Sequence, residues 1–315
     1  MKLKFKMTML AILSVTVISL FLFTEIGPHW DYVLPRRLNK ILAIVITGGA
    51  IAFSTIIFMT ITNNRILTPS IIGLDSLYLL IQTIIVFVFG STTLTMMDQH
   101  AHFLLSVGLM IVFAGLLFRI LFRGEGNNIY FLLLVGIIFG TFFESLSSFM
   151  QVLIDPNEFL IVQDRMFASF NNINTDILYL TIGLFLIVGL YFKRFARFLD
   201  TLSLGRDHAI NLGIHYDHVI KQLLVIIAIL VSIATALVGP ITFLGLLVAN
   251  VAHEFLKTYR HSYLIAGSIL ISIIALVGGQ WMVERVFTFS TTLSVIVNFV
   301  GGIYFIYLLL RERQT

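Results

Sequence analysis

Long stretches without a single charged residue recur along this chain, and they leave it few ways to fold. Residues 9–23, 41–62, 76–97, 99–118, 177–192, 261–283 and 286–310 contain no Asp, Glu, Lys or Arg, and 127–154 is interrupted only by Glu144. A helix needs about 20 apolar residues to cross the hydrocarbon core. Inside lipid every backbone N–H and C=O must find a partner within the protein, which makes such segments helical. The stretch 222–253 is 32 residues long, too long for one ordinary crossing. Gly239-Pro240 divides it, because proline has no N–H to give a helix interior. Two crossings are expected there, the second short, which brings the total to ten. The expected fold is an all-α polytopic membrane protein, 1–315 forming one integral domain. The chain is 11% charged and 58% hydrophobic, against about 25% charge in a soluble domain. It has no Cys, which excludes disulfides and thiolate metal sites.

Lys2, Lys4 and Lys6 precede the apolar run Met9–Phe23, the pattern of a signal peptide. No A-x-A-like site follows; Thr24-Glu25-Ile26-Gly27-Pro28 does. The run is therefore expected to stay as a first membrane helix. Ten crossings put both termini on one side. With the N-terminus in the cytoplasm, fifteen of the 20 Lys and Arg fall on cytoplasmic segments and five on external ones. That is the bias of the positive-inside rule; the opposite orientation would invert it. The sequence pI of about 9.3 then reflects basic loops facing anionic lipid and cytoplasm, not nucleic acid.

The largest cytoplasmic loop, 193–221, contains Leu202-Ser203-Leu204-Gly205-Arg206-Asp207-His208-Ala209-Ile210-Asn211-Leu212-Gly213-Ile214. Two glycines bracket about two helical turns, which suggests a short helix along the membrane face, between the sixth and seventh crossings. Such an element suits a docking site for a soluble partner, here read as a separate ATPase.

Four patches, in this order, make the chain resemble the permease subunits of iron–siderophore and vitamin B12 ABC importers, the FecCD-type family of type II importers, over about residues 34–311. The first comprises Leu34-Pro35-Arg36-Arg37, Gly48-Gly49-Ala50-Ile51-Ala52 and Asn63-Asn64-Arg65-Ile66-Leu67-Thr68-Pro69-Ser70-Ile71-Ile72-Gly73. The second is Leu204-Gly205 to Leu212-Gly213, like the family's L-G-x-x-x-A-x-x-L-G. The third is Gly239-Pro240-Ile241-Thr242-Phe243-Leu244-Gly245-Leu246, like G-x-I-x-F-x-G-L, and the fourth runs from Gly301-Gly302-Ile303-Tyr304-Phe305 to Arg311. The chain departs from the family at Ala249-Asn250-Val251-Ala252-His253, where P-H-x-x-R is usual, and at Asn64-Arg65, where Asn-Pro is usual.

The resemblance implies that Leu204, Gly205, Arg206, Asp207, Ala209, Leu212 and Gly213 dock on the ATPase. Ala209 and Leu212 are expected to form a small apolar ridge, with Arg206, Asp207 and Asn211 as its polar rim. An ordinary interfacial helix is the plainer alternative. The resemblance also implies that external Arg36, Arg37 and Arg285 receive acidic residues of a binding protein, through the rigid guanidinium fork; lipid headgroups or local pairing with Asp31 or Glu284 is the alternative. For the translocation path it favours the second helix, with Gly48, Gly49, Thr47, Ser54, Thr55, Thr60 and Thr62, together with Gly301 and Gly302. Plain helix packing explains the glycines equally well. Glu144 is the acid inside a span and a transport candidate by default.

His100, His102 and His253 invite a metal reading, but His253-Glu254 lacks the second histidine of H-E-x-x-H and structural histidines are expected instead. No Walker A sequence exists, so ATP and Mg belong to the partner and no cofactor is expected on this chain. The implied function is the permease of a ferric-siderophore importer in a bacterial plasma membrane. Its expected partners are an ABC ATPase, a second permease chain (self or paralogue), an extracellular siderophore-binding lipoprotein and the bilayer, with no nucleic acid. The rivals are an ABC permease for free zinc or manganese ions and an ion-coupled secondary transporter. The first wants His and carboxylates within the spans, the second several embedded acids and a half-repeat.

Overall fold

The computed structural model describes residues 2–25, 29–90, 92, 96–121, 129–171 and 173–312, and the described chain is helical with no strand. Arg123 and Arg313, both part of the charge count, lie outside these residues. The helices are α1 Leu3–Phe23, α2 Trp30–Thr62, α3 Leu74–Phe89, α4 Gln99–Leu121, α5 Ile129–Leu153, α6 Pro156–Arg165, α7 Thr175–Ala196, α8 Leu199–Leu202, α9 Arg206–Asn211, α10 Tyr216–Val238, α11 Leu244–Leu256, α12 His261–Arg285 and α13 Leu293–Glu312. A 3-10 turn, Pro69–Ile72, precedes α3. Seven of the helices (α1, α2, α4, α5, α7, α10 and α12) are long and apolar enough to cross a membrane. Each charge-free stretch of the sequence overlaps at least one of these helices, the long one two: α10 stops at Val238 and α11 starts at Leu244, on either side of Gly239-Pro240.

The sequence reading did not anticipate α6. Its signal is nonetheless local: the Asp155 carboxylate accepts from the Asn157 N–H at 2.9 Å and Pro156 occupies the first helical position. A capping acid followed by proline is a helix start.

The spine of the molecule is α2. Its Ile57 and Phe58 join one core with α3, α4, α5 and α10, while its Ile44 and Ile56 join a second with α1, α11 and α12. Where α2 crosses α12 the approach is close: a Cβ on Gly48 would come within 2.5 Å of Ser272 Oγ. Lipid tails are as apolar as leucine, so such contact between small residues, not apolar burial, favours association here. For the same reason the outward side chains of α1 and α7, such as Phe23 and Ile187, sit exposed without penalty.

Contacts between helix ends define two poles. At the N-terminal pole Lys6 Nζ donates to Phe255 O at 2.5 Å and the Asn250 side chain donates to Arg65 O at 2.9 Å. The end of α2, α8, α9 and the α11–α12 turn meet there. At the opposite pole the 166–171 segment tucks against the end of α10, where the Ser169 N–H donates to Val238 O at 2.8 Å.

Candidate coupling and transport surfaces

The 205–213 element is a six-residue helix between two glycines, both in left-handed backbone: Gly205 at φ 94° and Gly213 at φ 81°. A side chain in that region strains the backbone, which is why glycine stands at both turns. No heavy atom lies within 4 Å of a Cβ built at either one. The element projects from the N-terminal pole. Leu204, Ile210 and Leu212 are 57%, 47% and 65% exposed, beside exposed Arg206 and Asp207. Ala209 corrects the sequence reading. It is fully buried against the protein's own core, because its position on this single turn of helix faces inward. The outward apolar ridge is Leu204, Ile210 and Leu212. Arg206 lies 3.8 Å from the Asp217 carboxylate, both well exposed.

Behind the element opens a cavity of about 890 Å³. Thr60, Arg65, Leu204, His253, Lys257 and His261 are among its lining residues. Its wall holds a short polar chain. Asp200 Oδ1 accepts from the His261 backbone N–H at 2.9 Å and lies 2.7 Å from His261 Nδ1; His261 Nε2 lies 2.8 Å from Thr60 Oγ1. Burial alone would raise the Asp200 carboxyl, but these hydrogen bonds, the His261 ring and nearby Arg260 bring it below its ordinary value. The sequence reading named Thr60 as a path candidate and passed over Asp200 and His261, since residues 61 apart give no spacing signal.

The three candidate docking arginines differ. Arg36 is exposed and lies over the Tyr32 ring at 4.1 Å. Arg37 instead donates to Phe21 O, Leu22 O and Thr24 O at 3.0, 2.9 and 2.8 Å. Those are carbonyls at the end of α1, where helix geometry leaves them unsatisfied and the dipole favours a cation. Arg285 pairs with Glu25 and donates to Thr24 O at 3.1 Å. Lys40 pairs with Glu284 at 2.5 Å and reaches Asn171 at 3.0 Å. Of the local partners weighed for these arginines, Glu284 is therefore taken by Lys40.

Along α2 the path candidates are enclosed. Thr47, Ser54 and Thr55 are fully buried, Thr55 donating to Ile51 O at 2.8 Å. Gly48 meets Ser272, and Gly301 meets Phe243. Gly49 is partly buried near Ile269, and Thr62 is buried with its hydroxyl on Phe58 O. Glu144 is exposed on the outer face of α5, beside exposed Phe142, and Gly302 has open space where its Cβ would be. A second acid comes to light: Asp75, in the first turn of α3, accepts from Thr235 Oγ1 at 3.0 Å. It lines a water-sized cavity of about 20 Å³ with Thr55, Ser70 and Thr242. It stands one residue before the charge-free stretch 76–97 and was not weighed. His100 is half-buried, and His102 Nε2 lies 2.7 Å from Gln82 Oε1. Among the described residues no three His, Cys, Asp or Glu gather where they could hold a metal ion.

Comparison with known proteins bears on this arrangement. The FecCD transport family matches residues 6–311. The chain is 67% identical over 315 residues to the petrobactin import system permease protein YclO of Bacillus subtilis (strain 168), covering 100% of both. It is 24% identical over 332 residues to a second permease protein of that name and organism, YclN, covering 99% of both. Among solved structures, a chain from a transporter described as of metal-chelate ABC type, in an inward-facing conformation, superposes with a TM-score of 0.84 at 22% identity, covering 98% of this chain and 99% of that one.

Proposed function

This chain belongs to the FecCD transport family, and from that premise we propose that it is the permease subunit of an ATP-driven importer of ferric siderophore, with ferric petrobactin as the substrate to test first. It is a multi-pass membrane transport subunit and not an enzyme. The observation that carries the substrate is the 67% identity along the whole length of a petrobactin permease. In this reading the plasma membrane of a bacterium holds it, with the N-terminal pole in the cytoplasm.

There Leu204, Ile210 and Leu212 meet a groove on a separate ABC ATPase, which holds ATP and Mg. Interface centres are built from such protruding apolar side chains within a polar rim. The partner permease is a paralogue rather than a second copy, because the chain resembles two distinct petrobactin permeases of one organism at very different identities. The enclosure of Thr47, Ser54 and Thr55 argues that no path runs through one chain alone. The path lies between the two chains, on outer faces such as those carrying Glu144 and Gly302. At the outer pole a siderophore-binding lipoprotein finds Arg36 as the exposed cation; Arg37 and Arg285 hold helix ends in place.

The test is uptake of radioactive iron presented as ferric petrobactin, in cells with and without this chain. Uptake that disappears with the chain and returns with it is the expected result. Unchanged petrobactin uptake, with loss of uptake for another chelate, would overturn the substrate assignment.

A further inference from the structure

Whatever grips the 205–213 element must move the membrane helices, yet the element is thinly attached. Ala209 is its buried anchor, and Gly205 at φ 94° joins it to α8 through a hydrogen-bonded turn, its N–H donating to Leu202 O at 3.1 Å. On α8, Leu199 and Leu202 are buried in the core, while Asp200 points to α12.

The Asp200–His261–Thr60 chain is continuous. A carboxylate has no hydrogen to give, so His261 Nδ1 donates to Asp200 Oδ1 at 2.7 Å. On the far side of the ring, Nε2 lies 2.8 Å from Thr60 Oγ1, which also lies 2.8 Å from Ile56 O. His261 is 5% exposed, so little water competes. The chain ends on two helices at once: His261 opens α12 and Thr60 lies near the end of α2. Those two helices are locked together where Gly48 meets Ser272. A close-packed pair transmits displacement and does not absorb it.

We propose that Asp200, His261 and Thr60 are positioning residues, forming a polar strut that delivers displacement of the 205–213 element to α2 and α12 as one body. This rests on the reading of the chain as a permease driven by a separate ATPase. A merely structural role exists beside it, because Asp200 also satisfies the first N–H of α12. The test must separate the two.

The native complex, purified with the ATPase and permease that accompany it and placed in proteoliposomes together with the siderophore-binding lipoprotein, is compared with Asp200→Asn, His261→Gln, Thr60→Val and the conservative Asp200→Glu. ATP hydrolysis, ferric-petrobactin uptake and thermal unfolding are read on each. The strut predicts hydrolysis within about twofold of native and uptake lower by roughly tenfold, the size of an ordinary coupling between sites, with Asp200→Glu recovering much of it. Unchanged uptake would overturn it. So would a parallel fall of hydrolysis, uptake and melting temperature, which marks a capping role alone. If the native complex itself shows no ATP-driven uptake, the importer reading fails before the strut is reached.

Discussion

The two poles of the helix bundle differ in what they leave exposed. At the pole opposite the N-terminus Arg37, Lys40 and Arg285 are spent on the protein's own helix ends: three carbonyls at the end of α1, the Glu284 carboxylate of α12, and Glu25. They fasten α1, α2, α12 and the 166–171 segment to one another. At the N-terminal pole an apolar ridge stands clear of the surface, a cavity of about 890 Å³ opens behind it, and Arg206 faces an exposed carboxylate 3.8 Å away. Exposed pairs of that kind contribute little. Both poles hold helix ends with charged side chains, Lys6 and Asp200 doing so at the N-terminal one, but that pole also presents an exposed apolar ridge in front of a cavity. On the proposed reading, it is the pole that a separate ATPase grips.

The sharpest way to break the comparison is to change the ridge. Leu204→Asp with Leu212→Asp alters side chains already exposed, so the melting temperature should hold. ATPase capture and uptake should both collapse, each residue costing about 2 kcal/mol or more of binding if it is an interface hot spot. Co-purification and uptake measure this, and full retention of both would remove the ridge from the account. Next comes the opposite pole. Arg37→Ala strips the cation from the end of α1 and should lower stability by about 1–2 kcal/mol, read as thermal unfolding in mild detergent, while ATPase capture stays unchanged. Arg36→Ala should shift stability by no more than about 0.5 kcal/mol yet weaken uptake driven by the binding protein, most visibly at low salt.

The smallest effect concerns pH. The folded Asp200 carboxyl sits below its ordinary value of 3.8. A depressed carboxyl contributes stability that is present above the unfolded value and is lost as pH falls through the folded one. The difference in melting temperature between native chain and Asp200→Asn should therefore be flat from neutral pH down to near 4 and shrink only below it. A difference that vanished between pH 7 and 5 would point to a different group.

Much of the frame was legible in sequence. Charge-free length marks helices because lipid admits few other backbones, and Gly239-Pro240 marked the break between α10 and α11. Gly205 and Gly213 marked the turns around α9, where both indeed hold positive φ. What could not be read was facing. In a soluble helix polar residues point out; in lipid the outward face is as apolar as the inward one, so nothing in the pattern said that Ser54 is enclosed, Glu144 outward and Ala209 inward. Arg37 shows the same limit at a pole. Its neighbour Arg36 is chemically identical, and only the position of the α1 carbonyls, set by tertiary packing, divides their roles. Asp75 escaped because it stands at a helix start that only the Pro69–Ile72 turn creates.

The most direct test of the central claim is a pull-down from mild detergent, comparing the native chain with a Gly205→Asp, Gly213→Asp double substitution. Both positions lie in left-handed backbone, where a side chain costs about 1–2 kcal/mol each, and neither has a neighbour within 4 Å to clash with. The damage should stay within the element. The account predicts that an ATPase co-purifies with the native chain and is lost from the double variant, which still unfolds in one cooperative transition, its melting temperature lowered by no more than that backbone cost. Equal capture by the two chains, or none by the native chain under conditions that hold a known transporter together, would contradict it.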